Sequence, residues 1–490
     1  MQRKVALGGT MKRRTALLVV ASALTLAACA SPRKPDLTLP AAFEAPSAAA
    51  PAAQAAAVNL DRWWEVFGDA QLNSLIDTAL TRSPDARTAL AQLEQARAVR
   101  QGQRAQLYIP SGALAGSASR RNTTILDGAQ IDFPGFRNSG NADSQSLNFD
   151  VSWELDLYGR RRAANQRVNG DFAAARFSYE AARASLAASV AQSYFEARGL
   201  AIQLEDARIT AGLQKRTYDL ADARGKRGLV ATSEGDRVAG DLAQAEAQAA
   251  ALEAQLQAAK RTLLILTGRG VEPTASLTTE PNVGVAPAVP ATVPGDLLER
   301  RPDVRQAQAR LTAAAGNLRV AELARFPTFT LAPGIGLSRS EQPGFSSTTR
   351  IWTLAGSLNV PVFDQVRLAA EVKNYSAQAE QAVIAYEKAV QTAYGEAENS
   401  LVQLSADQRR VVLLRDGEAR ARRAYDAGRK GYDLGLNDLS TLIQSEQGWR
   451  AARSAYTGAQ VQALTRAVQA YKALGGGWSP SNPASETASR

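Results

Sequence analysis

The chain has no histidine, one cysteine and two methionines in 490 residues. Without histidine, the usual general base near neutral pH and the commonest zinc ligand are missing, and one thiol cannot form an intramolecular disulfide. Metal-assisted and nucleophilic chemistry lose their ordinary partners. The expectation is a protein that is not an enzyme and holds no metal and no cofactor. After Cys29 there is no uninterrupted apolar run of about 18 residues, so a spanning helix is excluded and any membrane-spanning part has to be β. The basic excess is also small: residues 1–28 hold five Lys and Arg and no acid, so the formal charge of +10 falls to +5 beyond them. That is no nucleic-acid footprint.

What is present begins with Lys12, Arg13 and Arg14 ahead of an apolar run from Thr15 to Ala27. The run is too short for a mature span and reads as a secretory signal, residues 1–28, with Met11 as an alternative start. It ends in "LAAC", Leu26 to Cys29, which matches the bacterial lipobox, cut before a cysteine that carries lipid. Cys29 is therefore the expected lipid attachment. Ala30 and Ser31 follow it, and the aspartate that commonly retains such lipoproteins in the inner membrane is absent. The expected address is the outer membrane, held by acyl chains at about 0.8 kcal/mol per buried methylene. Pro and Ala dominate from Ser31 onward, so residues 29–59 read as a flexible tether.

"LNFDVSWELDL", Leu147 to Leu157, alternates apolar and polar residues without a miss. A period of two puts Leu147, Phe149, Val151, Trp153, Leu155 and Leu157 on one face and the carboxylates of Asp150, Glu154 and Asp156 on the other. A half-buried sheet could use this pattern. So could a tilted membrane strand of roughly 9 to 11 residues, with lipid on one face and water on the other. Reading Glu154 and Asp156 as a general acid and base pair would require a substrate cleft, which the rest of the chain does not supply.

Most of the remaining length is rich in strong helix formers, in four segments at roughly 159 to 226, 231 to 268, 366 to 431 and 437 to 474. Leu186, Val190, Ser193, Ala197, Leu200, Leu204, Ala207 and Ala211 recur at steps of 4 and 3, a coiled-coil seam with many small residues. An internal repeat organises these segments. "SPDARTALAQLEQARA" from Ser83 resembles "RPDVRQAQARLTAAAG" from Arg301, at an offset of 218. Each copy runs into a helix-ending proline, Pro110 or Pro327, then strand, loop, strand and a long helical hairpin. "TFTLAPGIGL" and "WTLAGSLNVPVF" are the strand candidates of the second copy, the latter with Trp352, Leu354, Leu358, Val360 and Val362 on one parity; the first strand of the first copy falls near Ser111 to Ser119, whose small side chains give it the weakest pattern of the four. The plan is a first repeat over 60–270, a Pro-rich linker at 271–294, a second repeat over 295–474 and a disordered tail at 475–490. Four strands cannot close a barrel, since closure takes at least eight and open edges cannot face lipid, so oligomerisation is expected.

In this frame "SWELDLYGR", "DLLERRPDVRQAQARL", "PVFDQVRLAA" and "YKALGGGW" make the chain resemble the TolC-like outer membrane efflux factors, in their OprM-type lipoprotein branch. The resemblance runs from Arg62 to Trp478. It implies a mainly α fold with membrane β: a homotrimer with a twelve-stranded β-barrel, four strands per protomer, continuous with a long periplasmic α-helical coiled-coil barrel and a small equatorial domain. It also implies the exit duct of a tripartite pump, fed by an inner-membrane transporter through a periplasmic adaptor, with drugs, detergents, dyes or metal ions as the usual cargo. A periplasmic adaptor and a structural coiled-coil lipoprotein are the alternatives. Asp150, Glu154 and Asp156 would then line the lumen.

The resemblance places the periplasmic gate in "KGYDLGLNDLSTLIQSEQ", Lys430 to Gln447, where Tyr432 and Gly435 match the family's tyrosine and glycine. A basic residue frequent in that turn is Asn437 here, and the aspartate that forms an anionic ring in relatives is Gln444. Asp433 and Asp438 are the nearby carboxylates that could substitute. The first hairpin turns in "RGKRGLVATSEGD", where Gly228 suits a C-cap and Thr232 or Ser233 the next N-cap. Both tips, with Gly228, Thr232 and Gly435, are where the adaptor is expected to dock.

Overall fold

The computed structural model describes residues 33, 35–44, 59–128, 132–133, 136–137, 139–227, 232–289, 294–342 and 344–479. Its elements are α1 (Ala70–Arg82), α2 (Pro84–Tyr108), β1 (Ser111–Thr123), β2 (Asp132–Phe133), β3 (Phe136–Arg137), β4 (Gly140–Leu155), α3 (Arg160–Lys226), α4 (Thr232–Leu266), a single turn α5 (Leu297–Arg300), α6 (Pro302–Leu323), β5 (Thr328–Gln342), β6 (Phe345–Asn359), α7 (Gln365–Asp433) and α8 (Leu439–Ala473). At 1.5 Å per residue, the 67 residues of α3 span about 100 Å. Among the described residues no helix is long and apolar enough to cross a membrane.

One compact unit is built from Ala98–Phe172 and Ala309–Ala385. Its sheet has the order β1-β4-β5-β6, antiparallel throughout. The register stacks large residues on one face: Phe149 lies opposite Leu114 and Ile335, and Ile335 opposite Trp352. β1, which sequence composition disfavours, is a full strand of 13 residues. Its Gly112 and Gly116 leave that face open, and Phe149 and Leu147 of β4 lie 3.6 Å from where their Cβ atoms would be. Pairing to a strand with large side chains supplies the packing that Gly, Ala and Ser lack. β6 stops at Asn359, so Val360 and Val362 lie outside the strand that their parity suggests.

In the same unit α3 and α6 cross backbone to backbone. A Cβ on Gly170 would stand 2.7 Å from the Ala313 nitrogen, and one on Gly316 would stand 2.6 Å from the Arg167 nitrogen. Only glycine permits both approaches at once.

The second unit comprises the described parts of Asp36–Arg97, Ala173–Gln308 and Tyr386–Arg490. Its core takes up the coiled-coil seam, with Leu186, Val190, Ala197, Leu204 and Ala207 buried beside Leu252, Leu256 and Leu263. Trp63 stacks on Tyr471 at 5.8 Å. The Tyr471 hydroxyl donates to the Ala288 carbonyl at 2.8 Å, and burial pushes its pKa up to about 12. Each repeat ends its hairpin alike. Gly268 and Gly475 adopt φ of 73° and 76°, the left-handed conformation that closes a helix, and each presses on a carbonyl, that of Arg82 or Arg300.

Two expectations about loose segments are corrected. Residues 36–44, read as part of a flexible tether, lie along α7. The Asp36 N–H donates to Glu387 at 3.0 Å, Leu37 and Leu39 pack on Val304, Val390 and Ala393, and Phe43 stacks on Tyr394 at 5.9 Å. Those apolar side chains, spaced between prolines, give the segment something to bury that composition averages away. Residues 475–478, read as the start of a disordered tail, are packed: Trp478 is buried and its Nε1 donates to the Arg300 carbonyl at 2.7 Å. Residues 480–490 lie outside the described residues.

Candidate pore and gate

The sheet divides into two chemistries. One face carries Leu147, Phe149, Trp153, Ile335, Trp352, Leu354 and Leu358, all exposed in the single chain; Trp352 is 78% exposed. So much large apolar surface on one face of a strand set has to be covered by something other than water. The opposite face carries Ser117 hydrogen-bonded to Ser146 at 2.9 Å and Ser119 to Ser144 at 3.0 Å. Asp150 sits on this polar face, opposite Ala113 and Gly334. The two β5 glycines make room for polar groups: Asp150 Oδ1 lies 2.7 Å from where a Gly334 Cβ would be, and Asn148 covers Gly336. Glu154 is at the end of the same face, with Oε1 3.5 Å from Arg160 Nη1.

Asp156 does not join them. β4 ends at Leu155, and the Asp156 carboxylate accepts the N–H groups of Arg160 at 2.7 Å and Arg161 at 3.1 Å. Its role is to cap α3, because the first amides of a helix lack partners within it. The alternation runs on through Leu157 in sequence, but the strand does not.

The second hairpin turns at Leu434–Asn437, between α7 and α8. Gly435 has φ 74°; its N–H donates to the Tyr432 carbonyl and that of Leu436 to the Gly431 carbonyl at 2.7 Å, a Schellman closure. Tyr432 lies half-buried in the last turn of α7, while Asp433 and Gln444 are exposed. Asn437 has a local task. Its Nδ2 lies 2.3 Å from where a Gly431 Cβ would be and 3.4 Å from the Gly428 carbonyl, so it covers the glycine face at the end of α7. Asp438 is the N-cap of α8, accepting the Thr441 N–H at 2.8 Å and the Ser440 hydroxyl at 3.2 Å. It is thus committed to the helix end rather than free to replace the missing anionic ring. In the first hairpin Gly228 lies outside the described residues, and Thr232 opens α4.

Two predictions arise at this tip. Hydrogen bonds from Thr441 hold the Asp438 carboxyl below its ordinary range. Its folded pKa is depressed, so its stabilising effect is present above the unfolded value of about 3.9 and is lost as pH falls through the lower folded value. Asp438→Ala should remove it at every pH, seen as faster amide exchange at residues 439–442. The second tests the expectation that Tyr432 plugs the resting tip. Tyr432→Ala should raise the leak current of the channel without new cation sensitivity. Gln444→Asp should add divalent-cation block, since like carboxylates repeated around a symmetry axis repel and attract cations. An unchanged leak in Tyr432→Ala would place the constriction elsewhere.

Sequence reasoning missed one ionic node. Arg301, buried, donates to Asp303 at 2.6 Å and to Glu396 at 2.7 Å, and reaches the Ala473 carbonyl at 3.3 Å. Burial opposes its charge, but the two carboxylates outweigh burial and its pKa goes up. The signal was the "RPD" of the second repeat, where the first repeat has Ser83 as a plain cap with its Oγ accepting from the Asp85 N–H at 3.3 Å. The node ties α6, α7 and the end of α8 together, a structural part of the helical unit.

The family model described as outer membrane efflux protein matches residues 75–269 and 293–476. The chain is 29% identical over 465 residues to the pyoverdine export outer membrane protein OpmQ of Pseudomonas aeruginosa, covering 94% of this chain and 97% of that one. It is 27% identical over 419 residues to the toluene efflux pump outer membrane protein TtgC of Pseudomonas putida, covering 85% of each. Among solved structures, the outer-membrane channel OprN superposes with a TM-score of 0.76 at 28% identity, covering 92% of this chain and all of that one. The outer membrane protein VceC of Vibrio cholerae gives 0.74 at 25% identity, covering 86% and 99%.

Proposed function

Since this chain belongs to the outer membrane efflux protein family and forms the outer membrane exit duct of an efflux system, we propose that its three-copy assembly completes a tripartite pump with a periplasmic adaptor and an inner-membrane transporter, anchored by lipid on Cys29. One observation carries the duct itself: the apolar and polar faces of the four-stranded sheet. A sheet of four strands leaves unpaired edges, which lipid does not tolerate, and three copies close it at twelve. The wet face with Asp150 and Glu154 then borders the channel, and the helical hairpin tips meet the adaptor.

The duct is passive, with no catalytic step, metal or cofactor, which fits the missing histidine. Cargo is small molecules selected upstream; the names of the relatives give pyoverdine in one case and toluene in another. An adaptor or a structural coiled coil has no use for a sheet with a lipid face repeated in two halves of one chain. Single-channel recording of purified protein in a planar bilayer tests the duct: discrete conductance steps are expected, and a silent bilayer containing assembled protein would count against it. Co-purification of a crosslinked adaptor and transporter from intact cells tests the tripartite assembly. The anchor has its own prediction. Cys29→Ser should abolish acylation and cleavage before residue 29 while leaving the helical unit folded, read by mass spectrometry of the mature N-terminus. A wild-type Cys29 without acyl chains would refute it.

A further inference from the structure

The two edge strands of the sheet, β1 and β6, contain no acidic residue, and between them they hold Arg120, Arg121 and Arg350. Arg120 has a partner, since its Nε and Nη2 each donate to the Asp143 carboxylate of β4 at 2.7 Å. Arg350 is exposed and has no hydrogen-bond or ion-pair partner among the described residues. The register places both on the lipid side. Arg350 stands opposite Leu337, itself opposite Leu147, while Arg120 stands opposite Asp143, which shares the parity of Leu147. Each lies just past the apolar belt, two residues beyond Trp352 or Ala118. The helices all join the sheet at its other end, so this end belongs to the outward leaflet. Arg339 and Glu341, on the same face, satisfy each other at 2.7 Å.

Closing the ring brings β6 of one copy against β1 of the next. Within one copy the helix-side ends of β5 and β6 align, with Thr328 opposite Asn359. The same alignment across the junction sets Asn359 opposite Ser111, and Arg350 then faces Arg120 of the next copy. Strand tilt checks this register. A ladder traced from Arg350 through Leu337 and Leu147 reaches Gly116, four residues from Arg120, so three copies close with a stagger of twelve residues. At about 3.4 Å per residue and about 4.8 Å per strand, that stagger tilts twelve strands by about 35°, the tilt of membrane barrels. A slip of two residues, the smallest that keeps both faces, leaves the arginines diagonal neighbours within reach of long side chains.

Residues directly opposite across a strand pair have Cβ atoms about 5 Å apart, so two guanidinium groups here share the single Asp143 carboxylate. Each junction therefore carries one uncompensated positive charge at headgroup level, and a phosphate group suits it in charge and in oxygen geometry. The neighbouring side chains specify what carries the phosphate. On the membrane side, Trp352, Leu354 and Leu358 of β6 flank Ala118, Gly116 and Gly112 of β1, a wall of large side chains beside a track of small ones that fits a hydrocarbon chain. On the outer side lie Asn122 and Thr348, whose amide and hydroxyl suit sugar hydroxyls. We propose that each junction between copies binds a phosphorylated glycolipid of the outer leaflet, with its phosphate between Arg350 and the next copy's Arg120, an acyl chain along the track and its sugar against Asn122 and Thr348. The proposal rests on the sheet spanning the outer membrane and closing as a ring of three copies.

The test is native mass spectrometry of the purified, assembled full-length protein, stripped of lipid and equilibrated with bisphosphorylated lipid A or with phosphatidylglycerol. Wild type should retain lipid A in preference, and Arg350→Gln should lower that retention on the order of tenfold. Arg121→Gln, one residue from Arg120 but on the wet face, should retain lipid A as wild type does. Equal retention in wild type and Arg350→Gln would overturn the proposal. So would equal retention of phosphatidylglycerol, which makes the junction a general site for anionic lipid, or displacement by millimolar inorganic phosphate, which assigns it to a free ion. The register has its own readout. Arg120→Cys/Arg350→Cys treated with a short bis-maleimide should give covalent dimers and trimers on denaturing gels, and monomer alone would separate the two arginines and overturn the site. A wild-type protein that gives no channel conductance would instead bring down the spanning sheet on which the proposal stands.

Discussion

Val151→Arg should prevent the protein from assembling in the outer membrane, while the adjacent Ser152→Arg assembles and changes ion selectivity. The apolar residues of β4 run from Leu147 to Leu155, with polar Asp143 and Gln145 beyond them on the same face. Eight steps of about 3.4 Å, tilted by about 40°, give a belt about 20 Å tall, close to the apolar band of outer membrane barrels. Val151 is at its middle, where an arginine on the lipid face costs about 2–4 kcal/mol in every copy. Its neighbour across the pair is Gly112, which offers the new charge no partner. Ser152 faces the other way, between Asp150 and Glu154 on the wet face, so an arginine there gains two carboxylate neighbours. The measurements are the fraction of protein recovered as membrane-inserted oligomer and the reversal potential in a salt gradient. Equal assembly of both variants would mean that the faces are assigned the wrong way round.

The second large effect is expected from Gly170→Val in the crossing of α3 and α6. A Cβ there would meet the nitrogen and Cα of Ala313 at 2.7 and 2.9 Å, which are backbone atoms and cannot swing aside. Overpacking a rigid site costs typically 1–3 kcal/mol, and separating two helix backbones belongs at the upper end, about 3 kcal/mol. Gly316→Ala strains the reciprocal contact on Arg167, and since the two glycines share one crossing, the double variant should cost less than the sum of the singles. Gly102 is the control: it is helical, exposed and has nothing within 4 Å of its missing Cβ. Gly102→Ala should stabilise by about 0.5–1 kcal/mol. Heat dissociation of the oligomer, followed on gels, reads all three, and a Gly170→Val oligomer as heat-resistant as wild type would sink the argument.

The alternation in β4 was legible because every second residue from Leu147 to Leu155 is large and apolar. β1 was not, because its partner strand supplies the packing and a strand of Gly, Ala and Ser has no period to read. Composition misjudged both ends of the chain for a related reason. Three apolar side chains in residues 36–44, and the one Trp478 after three glycines, decide whether those segments are held, and averages hide them. Asp156 and Asp438 show the limit of reading carboxylates as site residues, since one follows a strand and the other a turn, and each precedes a helix whose open amides claim it. Asn437 was read through the residue that it replaces, whereas its partners are Gly428 and Gly431, visible only once the hairpin is closed.

The strand order leaves β1 and β6 as unlike edges running in opposite directions. A second copy standing the same way up can offer only its β6 to this β1. Pairing β1 with β1 would turn the newcomer upside down, with its helices leaving from the opposite side of the bilayer. Growth therefore has a polarity, as in a filament, and stops only when the last free edge finds the first. No intermediate is stable in lipid, because one or two copies still present bare amides and carbonyls to hydrocarbon. Every copy contributes both a donor edge and an acceptor edge, so a subunit damaged in either one halts the ring for its healthy neighbours. In a cell carrying two alleles, edge lesions in this chain would behave as dominant, and lesions buried in a single helical unit as recessive.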